Sequence, residues 1–526
     1  MKKNKKGYTQ NLLICSIFSL LCGIFVGLII FGFKYAAKYI EEGSRHLYKV
    51  TSESFVLILL SFIVLIIMSF LMYLLHIKVP ESKGGGIPRS EGVLRGILPL
   101  KAIRTFFGTI IGSFISYFAG LPLGTEGPSV IIGTSIGDIT SKTNIKAQVQ
   151  ERYIKTGGAA AGFAVATGAP LSGVFFALEE IHKRFTPMLV LSVSLSVLSA
   201  TIINNSLCEI VGISPSLFEL NIFTEFKLKH IYYLILLAII IGVIVGIFDK
   251  ALELVNKFTS KHIKVFHPLT KLAFVFIITG VLGYVFIDGI YSGHHTVLDM
   301  LDPTNPVFYL TILLVVRFIM MILLTDSSAT GGIFIPVLAI ASVVGALLSK
   351  LLVALGLSNI YYEAIVILSM CAFLGGTLRA PFTAIILFIE LTQSYTNILY
   401  IVTVVFIVNL ITELFNNPSF YDRRLEKMEH EEYHDKKPII SHFEAVISKN
   451  SFVVGKAVRD IMWPYSSVVI SIKGKEHSID MDNDGEKILY ALDTIVIRCK
   501  YYNEEELLHL LKNLVGKDYE IKKINI

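Results

Sequence analysis

Gly124-Thr125-Glu126-Gly127-Pro128 recurs later in this chain, in altered form, as Gly332-Ile333-Phe334-Ile335-Pro336. Each copy is a Gly-x-x-x-Pro element between an apolar run and a new one, and each has a further glycine at the same distance downstream, Gly137 and Gly345. A second pair follows in the same order. Ala169-Pro170-Leu171-Ser172 leads to Phe176 and Glu179, and Ala380-Pro381-Phe382-Thr383 leads to Leu387 and Glu390. Two motifs repeated in order with nearly equal spacing describe an internal duplication. Apolar segments interrupted by Gly and Pro at matching places in two halves point to the binding site of a transporter.

Composition places the duplicated part in a bilayer. Hydrophobic residues make up 53% of the 526 and charged residues 17%, and the mean hydropathy of +0.66 is far from the balance of a soluble protein. Uncharged apolar runs occupy 12–33, 55–75, 188–203, 232–248, 272–287, 333–348 and 398–410, and 309–324 is another, broken by Arg317. Several match the roughly 20 residues a span needs. The shorter ones beside glycine-rich breaks predict half-length helices lining a path, since irregular backbone at membrane depth must face protein or a water-filled cavity.

Lys2, Lys3, Lys5 and Lys6 precede the first run, and Arg423, Arg424 and Lys427 follow the last, so both termini are expected in the cytoplasm. The first apolar run is too long for a signal peptide and lacks a small-residue cleavage pattern. A net charge of +6 suits loops facing an anionic leaflet and gives no argument for nucleic acid. Cys15, Cys22, Cys208, Cys371 and Cys499 are scattered, without metal spacing or a disulfide framework. A membrane enzyme is disfavoured by the lack of a metal-ligand cluster or nucleophile–base pair. A potassium pathway is disfavoured by the lack of a TVGYG-type filter.

After Leu414 the chain turns polar, through Asn416-Asn417-Pro418 into the charged stretch 421–437, read as a short amphipathic helix and then a linker. Beyond Pro438 the segments 443–447, 466–472 and 493–499 read as strands, with Gly474 and Asp484-Gly485 as turns. Asn503 and Glu506 cap a helix reaching about Leu514, with Leu507, Leu508, Leu510 and Leu511 on one face. The expected division is a membrane domain at 1–425, a linker at 426–439 and a cytosolic α+β domain at 440–526. The run Asp480-Met481-Asp482-Asn483-Asp484-Gly485 imitates the start of a calcium loop, but Ala491 stands where a bidentate acid belongs. A polar hairpin turn is the reading there.

Transfer of an anion requires partial positive charge in place of its hydration shell, because full positive charges would hold it too tightly for release. Helix N-termini supply that through unpaired N–H groups and about half a unit of dipole charge. Three openings of the required kind exist: Lys83-Gly84-Gly85-Gly86-Ile87-Pro88, 124–128 and 331–336, each with proline near a helix start. One alone would be a tight crossing of small residues; three, two of them in duplicated register, argue for a ligand. Glu126 stands inside the second opening, and an ionisable group at that depth is a functional candidate. Its charged form competes with an anion for the same N–H groups and its protonated form releases them, which couples protonation to anion occupancy. Glu179 has the repeat mate Glu390 and reads as a boundary residue or a structural pairing. Glu180 has Leu391 as its mate, so its acid belongs to one repeat only. His294-His295 and the lone Trp463 read as boundary and packing residues.

With these residues assembled, the chain from about Leu12 to Leu425 resembles the CLC family of chloride channels and proton-coupled chloride exchangers. Gly84 to Pro88 is similar to the family's GSGIP element, Gly124 to Pro128 to its GREGP element, and Gly332 to Pro336 to its GxFxP element. Tyr421 is similar to its pore tyrosine. The resemblance implies a mainly α polytopic fold built as an inverted repeat, and a homodimer with a pore in each subunit. It implies Glu126 as the external gate, Gly85, Glu126, Ile333, Phe334 and Tyr421 around the chloride, and Glu180 as the internal proton-transfer acid of exchangers. Chloride and protons would be the substrates, no resident cofactor is implied, and the protein is expected not to be an enzyme. The alternatives within the resemblance are a chloride channel without proton coupling and a fluoride/proton antiporter. Gly85 departs from the serine of chloride-selective members and Thr125 from the usual arginine. Pro128 is retained where fluoride exporters typically differ.

The tail, through Phe452-Val453-Val454-Gly455-Lys456-Ala457-Val458 and Ala491-Leu492-Asp493-Thr494-Ile495-Val496, resembles the TrkA-C (RCK C-terminal) sensing module over about 440–514. That resemblance implies dimerisation and a small regulator such as cyclic di-AMP. The combination suggests a multi-pass protein of a bacterial plasma membrane.

Overall fold

Inside a bilayer a backbone must satisfy its own hydrogen bonds, and the apolar runs accordingly close into helices. The computed structural model describes residues 2–218, 220, 224–262, 267–416, 418–434, 436–464, 467–474, 478–480 and 485–524; positions 481–484 of the calcium-like run lie outside the described residues. Among the described residues, eight helices are long and apolar enough, by length and composition, to cross a membrane. They are Gln10–Thr51, Phe55–Lys78, Pro187–Val211, Leu228–Val255, Pro268–Val285, Val307–Ser327, Phe334–Ala354 and Asn359–Leu378. All but the last overlap an expected run, and the run at 398–410 lies in the shorter helix Ile398–Leu414. Arg317 is buried in Val307–Ser327, where it donates to the carbonyls of Asp288 and Ile290 and to the Thr296 hydroxyl.

Part of the centre is made of helices with little hydropathy. Glu126–Lys142 and Glu151–Thr167 are rich in Gly, Ala, Ser and Thr, yet nearly every residue of both is buried. They press together backbone to backbone: a Cβ on Gly133 would collide with the Gly158 carbonyl, and one on Gly158 with the Gly133 carbonyl. Small residues are what allow helices to approach so closely where lipid offers no hydrophobic drive.

The two repeats are joined by exchanged contacts. Glu179 accepts from the N–H groups of Phe382 (3.0 Å) and Thr383 (2.7 Å) at the start of helix Pro381–Thr392. Glu390 accepts from Leu171 and Ser172 (both 2.9 Å) at the start of helix Pro170–Phe175. Each acid thus neutralises the N-terminus of the other repeat's helix. Glu179 is therefore a structural pairing, as its mate suggested.

Helix Phe420–Tyr433 continues from the membrane part into the charged stretch, so helix occupies the expected linker as far as Tyr433. The sheet comprises β1 (Ile439–Val446), β2 (Val468–Lys473), β3 (Ser478–Asp480), β4 (Thr494–Tyr501) and β5 (Lys522–Ile524) in the order β3-β2-β4-β1-β5, every pairing antiparallel. β1, β2 and β4 fall on the expected strands. Helix Glu504–Val515 starts where expected, with the Asn503 side chain accepting from the N–H groups of Glu505 and Glu506. The tail packs on the membrane part through Arg152, whose guanidinium donates to the carbonyls of Leu94, Met462 and Trp463. Trp463 is buried and donates to the Val458 carbonyl, which makes it a packing residue.

Candidate anion site

All three glycine-rich openings meet. The Gly84 N–H donates to Ser328 (2.8 Å) and the Gly331 N–H reaches the Gly84 carbonyl (3.4 Å), while Gly124 and Gly332 exchange N–H···O bonds of 2.6 and 2.8 Å. A Cβ on Gly127 would lie 2.9 Å from the Gly332 Cα, and one on Gly86 would collide with the Gly127 carbonyl. Glycine is required at this crossing because backbones touch there.

Helices Gly86–Arg95, Glu126–Lys142 and Phe334–Ala354 begin at these breaks, preceded by Gly85, Thr125 and Ile333, and none has a side-chain cap. Helix Phe420–Tyr433 shows the contrast, since its Ser419 accepts from the Asp422 N–H at 3.1 Å. Uncapped, buried N–H groups need another acceptor, and an anion is a suitable one.

Glu126 is the first residue of its helix and fully buried. The Thr125 hydroxyl donates to its Oε1 at 3.2 Å, Oε2 has no hydrogen-bond partner, and the backbone N–H groups of Glu126 and Ile335 lie within electrostatic range of the carboxylate. The acid therefore lies beside N–H groups of both repeats. Phe334 is buried with its ring 5.3 Å from that of Phe163, edge to face. Tyr421 is buried, its hydroxyl has no protein partner, and it lies within electrostatic range of Glu126, Glu180 and Glu91. Gly85 has room for more than a hydrogen: a Cβ there would meet only the Gly331 carbonyl, at an ordinary 3.5 Å. Sterics do not exclude a serine, so the absent hydroxyl is a chemical feature of the site.

Glu180 lies elsewhere, on a wide π-helical turn, Phe176–Ile181, buried and with Oε1 unpartnered. Turns of this kind are frequent at functional sites. Arg95 anchors the turn by donating to the carbonyls of Glu180 (3.2 Å) and Ile181 (2.9 Å), and it pairs with Glu91 and with Asp422, which also holds Lys183 at 3.0 Å. Sequence reasoning passed over Glu91, Arg95 and Asp422. Glu91 and Arg95 stand four apart on the helix opened by Gly86, a spacing that aligns side chains. Lys34 was also missed; its ammonium donates to the Val165 carbonyl at 2.7 Å and lies within electrostatic range of Glu126. Among the described residues no cluster suits a metal ion.

Residues 64–413 match the family model described as voltage gated chloride channel. The H(+)/Cl(-) exchange transporter ClcA of Vibrio cholerae serotype O1 is 28% identical over 78% of this chain and 88% of its own length. That of Salmonella paratyphi B is 26% identical over 77% and 86%. The crystal structure of a slow cyanobacterial Cl-/H+ antiporter superposes with a TM-score of 0.72 at 29% identity, covering 79% of this chain and 98% of that one. With helices broken at three uncapped glycine openings and a match over most of its length, the chain belongs to the voltage gated chloride channel (CLC) family.

Proposed function

We propose that this protein exchanges chloride for protons across a bacterial plasma membrane. The observation that carries the reading is the seat of Glu126: its buried carboxylate lies beside N–H groups at the junction of the two repeats, where the helix termini have no side-chain cap. Chloride and the ionised acid compete there, and protonation of Glu126 frees the seat. Ile333 and Phe334 contribute backbone N–H groups, Tyr421 its hydroxyl, and Gly85 its backbone. Glu180 receives the proton from the opposite face, held by the Arg95 contacts to its turn. The exchanger names of relatives matching along most of this chain support the same reading.

Proteoliposome flux with chloride, nitrate and fluoride, with and without a proton gradient, tests it. Chloride-driven proton uptake is the expected result. Anion flux without proton movement would favour a channel, and fluoride movement in preference to chloride would favour fluoride export. Pro128, retained at the start of its helix, speaks against the latter.

We further infer that both termini are cytoplasmic, that two copies assemble with a pore in each, and that the tail is a TrkA-C-like regulatory module. The antiparallel sheet with its capped helix and the Arg152 bridge to Met462 and Trp463 support regulation from the tail. Titration of the full-length protein with cyclic di-AMP tests the proposed ligand; no binding removes it.

A further inference from the structure

Between helices Gly86–Arg95 and Phe420–Tyr433 lies a cavity of about 110 Å³ lined by Lys83, Arg89, Arg424, Lys427, Glu431 and Glu432 among others. Arg424, Lys427 and Glu431 line it from one face of the helix that carries Tyr421 at its start. Arg89 is 6% exposed, its Nη2 donates to Glu432 at 3.3 Å, and its Nε has no partner. Arg424 is also buried; its Nη1 donates to the Thr325 carbonyl at 2.6 Å, and its Nη2 lies 3.5 Å from where a Cβ on Gly84 would stand. The cavity therefore adjoins the first glycine opening.

Four cations against two carboxylates leave an excess of positive charge around a donor with no acceptor. The volume restricts what can answer it: drug-sized ligands take roughly 300 Å³ or more, so a nucleotide does not fit, whereas a chloride or nitrate ion does. Glu431 and Glu432 temper the attraction, which suits an ion that must move on.

We infer that this cavity is a side-chain anion site on the tail side, where chloride is collected before it passes to the helix termini at Gly84–Gly86. The inference rests on the chloride-transport reading above. It differs from the backbone site in kind, since guanidinium and ammonium groups do the binding.

The test uses full-length protein in voltage-clamped bilayers of known orientation, with chloride varied on one face at a time. Arg89→Gln should raise the half-saturating chloride concentration on the tail face about three- to tenfold, the order expected for one charge at partly screened range, and leave the opposite face unchanged. Glu432→Gln, which releases Arg89, should lower it. Opposite signs from the two partners of one ion pair are what a merely structural role would not produce. Lys427→Gln, at a partly exposed position, should act like Arg89→Gln and serves where that variant fails to fold. Unchanged tail-face half-saturation in all three variants, or a shift of one sign throughout, overturns the inference. A wild type that conducts chloride but moves no protons would defeat the exchange reading alone, since the sided chloride measurement remains valid.

Discussion

Gly124 and Gly332, equivalent residues of the two repeats, donate their N–H groups to each other's carbonyls. The reciprocity is what an inverted repeat produces at its axis, and it brings the openings that precede Glu126 and Phe334 to one point. No side chain could mediate the contact, because the backbones themselves touch. The junction is thus a product of duplication: neither half makes it alone.

Gly332→Ala tests that junction. The added methyl would lie 2.7 Å from the Gly127 nitrogen and 2.9 Å from the Gly124 carbonyl oxygen, and overpacking of this sort costs about 1–3 kcal/mol. A lowered thermal midpoint of the solubilised protein and a loss of chloride turnover are expected. Gly32→Ala, where nothing lies within 4 Å, should alter neither.

The exchanged caps make a second prediction. Glu390→Gln and Glu179→Gln should each destabilise by about 1–2 kcal/mol, the usual range for a cap or a charged hydrogen bond. Chemical unfolding of each single variant and of the double measures it. The two caps are joined, since the Ser172 hydroxyl donates to the Thr383 carbonyl at 3.1 Å, so the loss in the double variant should differ from the sum of the two single losses.

Lys456 makes the docking of the tail depend on pH. Its ammonium lies over the Phe452 ring and 3.5 Å from the Met188 sulfur, and burial pushes its pKa down to about 7. The undocked tail holds its proton up to the ordinary lysine range, so between about pH 7 and that range the undocked state binds more protons. Raising pH through this window therefore favours docking. Emission of Trp463, the only tryptophan, should report a tighter tail at pH 9 than at pH 7, and Lys456→Met should flatten the response.

The proton route gives a fourth. Glu180→Ala should keep chloride flux and abolish chloride-driven proton uptake. Asp422→Asn, which removes a partner of Arg95 and Lys183, should slow proton uptake with a smaller effect on chloride. Equal losses of both fluxes in the two variants would count against separate routes.

Much of this is legible in the sequence, for identifiable reasons. Glycine and proline at fixed places mark helix breaks by backbone chemistry alone, so the three openings and Glu126 were legible. Long apolar runs mark most of the membrane-spanning helices, lipid-facing or buried, as 333–348 does for the buried helix Phe334–Ala354. The buried centre was harder: Glu151–Thr167 is packed through glycine and alanine and carries little hydropathy signal. Asn359–Leu378 escaped because Glu363 and Gly375-Gly376 interrupt its apolar pattern. Glu180 was singled out by its unlike repeat mate, but the π-turn that presents it has no sequence signature. The Arg95 network joins residues distant in sequence, and pairings of that kind follow from tertiary approach alone. β3 and β5, three residues each, are too short for alternation to show.

The most direct measurement is chloride flux through reconstituted Glu126→Gln protein across a range of pH. A neutral side chain can neither compete as an anion nor carry a proton, so chloride should pass at a rate independent of pH while chloride-driven proton uptake disappears. Flux that retains the wild type's sensitivity to acidity, or proton uptake that persists, would contradict the shared seat of anion and carboxylate.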